Sequence, residues 1–362
     1  MNIKSICKIL IILMLFNFLA GCSFIKDLTN DNETIANQTS IDEMNIGNRE
    51  NLMINNGNVY YIDISNENKL YMIDNQFKNK KLISDKYFFT IVNITDKEIY
   101  YIQKTMKDEI TPLFDLCSVD MNGDNYKLIL ENVGSTIFLN DKLYYYRETD
   151  EEYEENMGYT YRNFCVFDIN SKEESIMDEK TTSTGITPVL YKSKIYYVGA
   201  GYKFLEYNHD TKEKKELDKG LSFCRYSDDS IYSYKGSSIE KIGISNNAYS
   251  ETLLESKEIY NIWDMNVTKD YIFFLAEDTK EARNEIYRLN LYRMKKDGSE
   301  LKKIYFSDYT ESITYPVHHI YNLGDKLLLY ERLEKNYLSN RNRLQLIDYD
   351  GNEIDSSLFN NL

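Results

Sequence analysis

Asn58-Val59-Tyr60-Tyr61-Ile62-Asp63 is the stretch from which the fold can be read. A turn-forming residue leads into an apolar position, then two aromatics, then a second apolar position. The phrase returns as Glu98-Ile99-Tyr100-Tyr101-Ile102, Lys142-Leu143-Tyr144-Tyr145-Tyr146 and Lys194-Ile195-Tyr196-Tyr197-Val198. Weaker copies are Ser230-Ile231-Tyr232-Ser233-Tyr234, Tyr271-Ile272-Phe273-Phe274-Leu275 and Lys326-Leu327-Leu328-Leu329-Tyr330. Their central residues, Tyr60, Tyr100, Tyr144, Tyr196, Tyr232, Phe273 and Leu328, stand 36 to 55 residues apart. β-branched and aromatic side chains suit a pleated strand, and with only three prolines in the chain little interrupts them. A strand-built unit with this period points to propeller blades.

Each copy has similar neighbours. A strand precedes it, as at 88–94, 135–139 and 318–322. A third strand follows, as in Leu70-Tyr71-Met72-Ile73, Leu116-Cys117-Ser118-Val119 and Leu291-Tyr292-Arg293-Met294. Next come Asn122-Gly123, Asp297-Gly298 or Asp350-Gly351, which supply the positive φ angles of a type I′ hairpin. A fourth strand closes the unit, as in Lys127-Leu128-Ile129-Leu130. The fold class is therefore all-β, a propeller of four-stranded antiparallel blades. Seven copies are counted, and six blades with irregular ends is the alternative. The last fourth strand, 353–359, is poor in apolar residues, so the segment before Asn51 is a candidate to supply an outer strand and close the ring.

These units resemble the low-density-lipoprotein-receptor-type (YWTD) β-propeller, and in particular its bacterial lipoprotein relatives. The resemblance rests on Tyr60-Tyr61-Ile62-Asp63 with Leu70-Tyr71-Met72-Ile73-Asp74, and on Leu291-Tyr292-Arg293-Met294 with Asp297-Gly298. It covers most of residues 51–362 and keeps none of the receptor repeats' tryptophans. The single tryptophan, Trp263, falls in a first strand instead. The resemblance implies a binding scaffold on a cell surface and transfers no catalytic residue.

The N-terminus supplies an address. Lys4 and Lys8 precede an apolar run over 9–18, which ends in Leu19-Ala20-Gly21-Cys22. A charged region, a short apolar region and a small-residue cleavage site ending in cysteine look like a bacterial lipobox. That resemblance implies cleavage before Cys22 and a lipid on its sulfur. The run is short for a membrane span. The expected organisation is a signal peptide over 1–21, a lipidated flexible tether over 22–50 and the propeller over 51–362. The tether is polar and lacks a sustained period. The expected location is the outer face of a cell membrane. Richness in Asn, Lys, Ile and Tyr suggests an AT-rich genome, such as that of a low-GC Gram-positive bacterium.

The formal charge of −15 repels nucleic acid and anionic headgroups, which leaves the lipid as the membrane contact. Of five cysteines, Cys7 leaves with the leader and Cys22 is acylated. Cys117, Cys165 and Cys224 are an odd set, read as small buried hydrophobes. His318 and His319 are adjacent in a strand and point to opposite faces, and His209 lies in a turn. No zinc, phosphate-loop or serine-nucleophile motif is found, so no catalytic residue, metal or cofactor is expected. Asp120-Met121-Asn122-Gly123-Asp124 alternates oxygen ligands as a calcium loop does, but falls where a turn is due.

Length varies mainly in the second-to-third strand connections, over 103–112, 147–162, 277–285 and 331–341. In a propeller these share one face with the links between blades, and long loops on a rigid scaffold carry recognition. The densest acidic run, Glu148 with Asp150, Glu151, Glu152, Glu154 and Glu155, lies there and reads as a solvated face or a docking site. The candidate binding residues are Asp150, Glu151, Glu152, Tyr153, Tyr159, Tyr161 and Tyr337. The expected function is non-enzymatic binding of a protein or glycan. The alternatives are a carboxylate-dependent glycan hydrolase or lyase, and a sensory subunit of a membrane partner.

Overall fold

The computed structural model describes residues 48, 51–63, 66–74, 77–106, 112–152, 160–181, 188–191, 193–217, 224–227, 230–243, 250–280, 289–306, 319–332 and 342–354. Among them the chain forms seven antiparallel sheets in succession. Blade one is β1 (Leu52–Asn55), β2 (Asn58–Asp63), β3 (Lys69–Ile73) and β4 (Lys80–Ser84). Blade two is β5 (Thr90–Ile94), β6 (Glu98–Met106), β7 (Pro112–Asp120) and β8 (Lys127–Leu130). Blade three is β9 (Thr136–Leu139), β10 (Lys142–Glu152), β11 (Thr160–Asp168) and β12 (Glu174–Thr181). Blade four is β13 (Val189–Tyr191), β14 (Lys194–Val198), β15 (Phe204–Asn208) and β16 (Lys214–Leu217). Blade five is β17 (Cys224–Ser227), β18 (Ser230–Lys235), β19 (Ser238–Gly243) and β20 (Ser250–Glu255). Blade six is β21 (Ile259–Val267), β22 (Tyr271–Asp278), β23 (Leu289–Lys295) and β24 (Lys302–Phe306). Blade seven is β25 (His319–Asn322), β26 (Lys326–Arg332) and β27 (Asn342–Asp348).

The molecule is thus a seven-bladed β-propeller, and the alternative count of six falls away. First strands of neighbouring blades touch, β1 with β5, β5 with β9, β9 with β13, β17 with β21 and β21 with β25, so they surround the ring centre. In the last sheet Glu353 bridges to Ile347, and the Ile354 N–H donates to the Leu346 carbonyl at 2.9 Å. The rest of the expected fourth strand lies outside the described residues.

The aromatic doublets explain the ring. Successive strand residues point to opposite faces, so each doublet serves both neighbouring blades. Tyr60 shares a core with Tyr101, Tyr100 with Tyr145, and Tyr144 with Tyr197. The first member faces the following blade and the second faces the preceding one. The rule continues from Tyr232 to Phe274 and from Phe273 to Leu329. Tyr100 and Tyr196 are buried, as the pattern requires.

Turn chemistry differs from expectation. Type I′ geometry occurs between first and second strands: Asn56 and Gly57 have φ of 49° and 74°, and Asn140 and Asp141 have 48° and 59°. At Asn122-Gly123 only the glycine is left-handed, at 88°. The Gly123 N–H donates to Asp120 O and the Asp120 N–H to Asp124 O, both at 2.9 Å. That is a three-residue loop ending in a left-handed glycine, which makes a bulge where type I′ was expected. The Asp120–Asp124 bond encloses three residues, one more than a two-residue type I′ turn holds.

The outer strands expose Lys81, Lys127, Lys214, Lys215, Lys302 and Lys303. Lysine on a free edge discourages pairing with another sheet.

Candidate functional site

The two faces of the ring differ. In blades one and four the second and third strands part at Asp63↔Lys69 and Val198↔Phe204. In blade two pairing runs from Glu98↔Asp120 out to Met106↔Pro112. In blade three it runs from Lys142↔Asp168 to Glu152↔Thr160. Blades six and seven extend likewise, to Glu277↔Leu289 and Arg332↔Asn342. Strand therefore enters the connections read as loops, through 103–106 and 112, 147–152 and 160–162, and 331–332, and in these four blades the second and third strands pair further out on one face. The remaining residues of those connections lie outside the described ones.

Asp150, Glu151 and Glu152 form the end of β10. Glu151 is exposed and meets Lys180 Nζ at 2.7 Å. The same ammonium lies 5.7 Å from the ring centre of half-buried Tyr161. Thr149 Oγ1 donates to the Tyr161 carbonyl at 3.0 Å, and Arg162 Nη2 to Glu148 Oε1 at 2.8 Å. The hairpin thus brings Glu151 and Tyr161 together through one lysine. Glu151 holds the Lys180 ammonium above the usual lysine range. Tyr153, Tyr159, Tyr337 and Cys22 lie outside the described residues, as do His318 and the side chains of Asp150, Glu152 and Cys224.

A second constellation was not read from the sequence. Arg225 on β17, Asp264 on β21 and His319 on β25 come from three successive first strands. Arg225 Nη2 donates to Asp264 Oδ1 at 3.1 Å, and the Ile320 N–H donates to Asp264 Oδ2 at 3.0 Å. His319 Nδ1 stands 3.7 Å from that oxygen. Arg225 and Asp264 are both buried. A buried ion pair adds little net stability, but it penalises any arrangement that separates its partners. Here it fixes blade five against blade six. The available signal was a charged residue inside each of two otherwise uncharged first strands, Cys224-Arg225-Tyr226-Ser227 and Trp263-Asp264-Met265.

Beside it lies Asn48, buried although it precedes the expected start of the domain. Its Nδ2 donates to the Asn322 carbonyl at 2.6 Å, and its Oδ1 accepts from the Asn322 N–H and, at 3.0 Å, from Asn266 Nδ2. The segment before Asn51 therefore contributes a side-chain clasp on the first strands of blades six and seven. In the described residues it supplies no outer strand.

The remaining candidates are structural. The ring of His209 bonds the Tyr144 hydroxyl through Nδ1 across the junction of blades three and four, and burial lowers its pKa. Asp120 Oδ1 accepts from the N–H groups of Asn122 and Asp124 at 2.9 and 3.0 Å, and Oδ2 from Asn125 at 2.6 Å, so this carboxylate organises its own turn. Cys117 and Cys165 are free and buried, and burial pushes the Cys165 thiol up to about 12. Among the described residues no three His, Cys, Asp or Glu side chains are grouped as a metal site.

No family model and no curated protein matches the chain. Solved structures do. An oligogalacturonate lyase from Vibrio parahaemolyticus aligns with a TM-score of 0.59 at 11% identity, over 84% of this chain and 89% of that one. A prolyl endopeptidase aligns at 0.57 and 10%, over 85% of this chain and 51% of that one. The β-propeller domain of the Trilobed protease from Pyrococcus furiosus aligns at 0.50 and 14%, over 83% and 96%. The chain spans about half the length of the prolyl endopeptidase. At such identities the likeness shows the fold alone. The class is therefore a β-propeller of seven blades.

Proposed function

We propose that this protein is a lipid-anchored surface lipoprotein of the YWTD-propeller type. It binds a protein or glycan without catalysis, through the face that carries the long hairpins. The observation that carries this reading is the asymmetry of the ring: the second and third strands of blades two, three, six and seven pair further out on one face than those of blades one and four, while opposite turns such as Asn56-Gly57 and Asn140-Asp141 stay short. A rigid ring with variable projections suits recognition. The Leu19-Ala20-Gly21-Cys22 motif supports the anchor, and the acidic balance supports a partner other than nucleic acid.

The test has two arms. Cys22→Ser should abolish incorporation of a fatty-acid analogue and free the protein from membranes; equal label on both forms removes the anchor from the proposal. Replacing residues 153–159 by a short turn should reduce recovery of crosslinked surface partners while circular dichroism stays unchanged. The cut spares the Glu152↔Thr160 pair. Undiminished recovery, with the other three hairpins shortened as well, would show that this face is not the binding face.

A further inference from the structure

Strand β21 departs from its counterparts. It has nine residues, whereas the other first strands have three to five. Its pairing with β22 slips twice. Ile259 faces Asp278 and Asn261 faces Glu277, which makes Tyr260 the extra residue of one bulge. Ile262 faces Ala276 and Asp264 faces Leu275, which makes Trp263 the extra residue of another. A bulge takes one residue out of the ladder and re-aims its side chain. The apolar repeat accordingly stretches from two to three: Ile259, Ile262 and Met265 all enter the core shared with Tyr232 and Tyr234 of blade five.

Both extra residues are aromatic and both face solvent, Tyr260 at 60% and Trp263 at 38% exposure. Among the described residues the other exposed large apolar side chains lie on outer strands or connections. A strand built only for packing would not place its two largest rings on its two irregularities with Tyr260 mostly and Trp263 partly open to water. The platform is rigid. Tyr234 Oη donates to the Trp263 carbonyl at 2.9 Å, and the Ile262 N–H to the Gly236 carbonyl at 2.8 Å. Polar groups flank it. Glu277 is buried beneath and accepts from the Trp263 side chain. Asp264, the next residue, is buried with Arg225, and half-buried His319 lies beyond.

Three residues of strand span about 10 Å, the reach of two linked pyranose rings. Flat rings match the C–H faces of a pyranose. A cage for a quaternary ammonium would need the rings gathered around one point, and these belong to two separate bulges three residues apart on one strand. An anionic sugar would meet Glu277, Asp264 and a chain of charge −15, with the one guanidinium of the cluster already on Asp264. We propose that Tyr260 and Trp263 are stacking platforms of a subsite for an uncharged oligosaccharide, beside the ring centre. This rests on reading the propeller as a binding scaffold and names one class of its ligand.

Trp263 is the only tryptophan, so its fluorescence reports on this site alone. Cellotetraose, chitotetraose and mannotetraose would be titrated into the intact protein, with trigalacturonate and choline as controls. The expected result is a saturable emission change with at least one neutral probe. By calorimetry, Trp263→Ala and Tyr260→Ala should each weaken that binding about tenfold or more. Tyr260 is exposed enough for its variant to fold whatever Trp263→Ala does. Silence with all three neutral probes, binding of a control in their place, or full affinity in both variants would overturn the subsite. Partner capture by the hairpin face is measured separately, so a silent Trp263 with intact capture sinks this inference and leaves the scaffold reading standing.

Discussion

At the scale of the residue, the second-strand doublet does two jobs with two adjacent side chains. Tyr196 packs against blade five, and its hydroxyl donates to Glu206 Oε2 at 3.0 Å; Tyr100 stacks on Phe138 of blade three with centroids 5.5 Å apart. Truncating either to Ala should cost about 3–5 kcal/mol in urea unfolding. Phe in their place should cost about 1 kcal/mol, the usual net worth of one hydrogen bond. Gly123 is constrained differently. A Cβ there would overlap the Ile83 carbonyl oxygen of blade one, and its φ of 88° suits only glycine. Gly123→Ala should therefore lower the melting temperature clearly, whereas Gly201→Ala, with open space around it, should be milder. The doublets were legible because strand alternation is local. The Arg225–Asp264 pair was not, because 39 residues separate partners that only the ring brings together.

At the scale of the element, the turns between third and fourth strands share one device, an Asx side chain that accepts N–H groups two to four residues on. Asp120, Asp168, Asn208 and Asp348 all do this. Asp168 also accepts from Lys142 Nζ at 2.6 Å, and that bond with its turn N–H groups holds the carboxyl down to about 2. A depressed folded pKa contributes stability that is full above the unfolded value and is lost as pH falls through the folded one. Asp168→Asn should therefore be less stable than wild type above about pH 4, and the gap should close as pH falls toward 2. A gap of constant size from neutral to acid would count against the pairing. The turn residues were visible in the sequence, while loop length decided the turn type. The rim hairpins were missed for a clear reason. Glu148-Thr149-Asp150-Glu151-Glu152 carries no apolar residue and no alternation, so this part of β10 looks like loop.

At the scale of the whole molecule, seven blades hold one another by interleaved side chains, and Asn48 adds a junction between the start of the chain and its end. Removing its amide would strip Asn322 of partners for both N–H and C=O. Each buried group left unsatisfied costs about 1–3 kcal/mol. With two such groups, Asn48→Ala should lower stability by about 2–6 kcal/mol, and the Asn322 amide should lose protection from hydrogen exchange. Equal exchange in both forms would mean the clasp holds nothing.

The same clasp sets a clock. Asn48 and Asn322 are 274 residues apart, and at 5–20 residues per second a ribosome needs roughly 15–55 s to deliver the second after the first. Throughout that interval the nascent chain can be no more than an open arc. Its two terminal blade faces leave uncovered side chains that the closed ring buries, Tyr61 of blade one among them. The ring can therefore close only once its last blade has been made, and until then its two ends stay open.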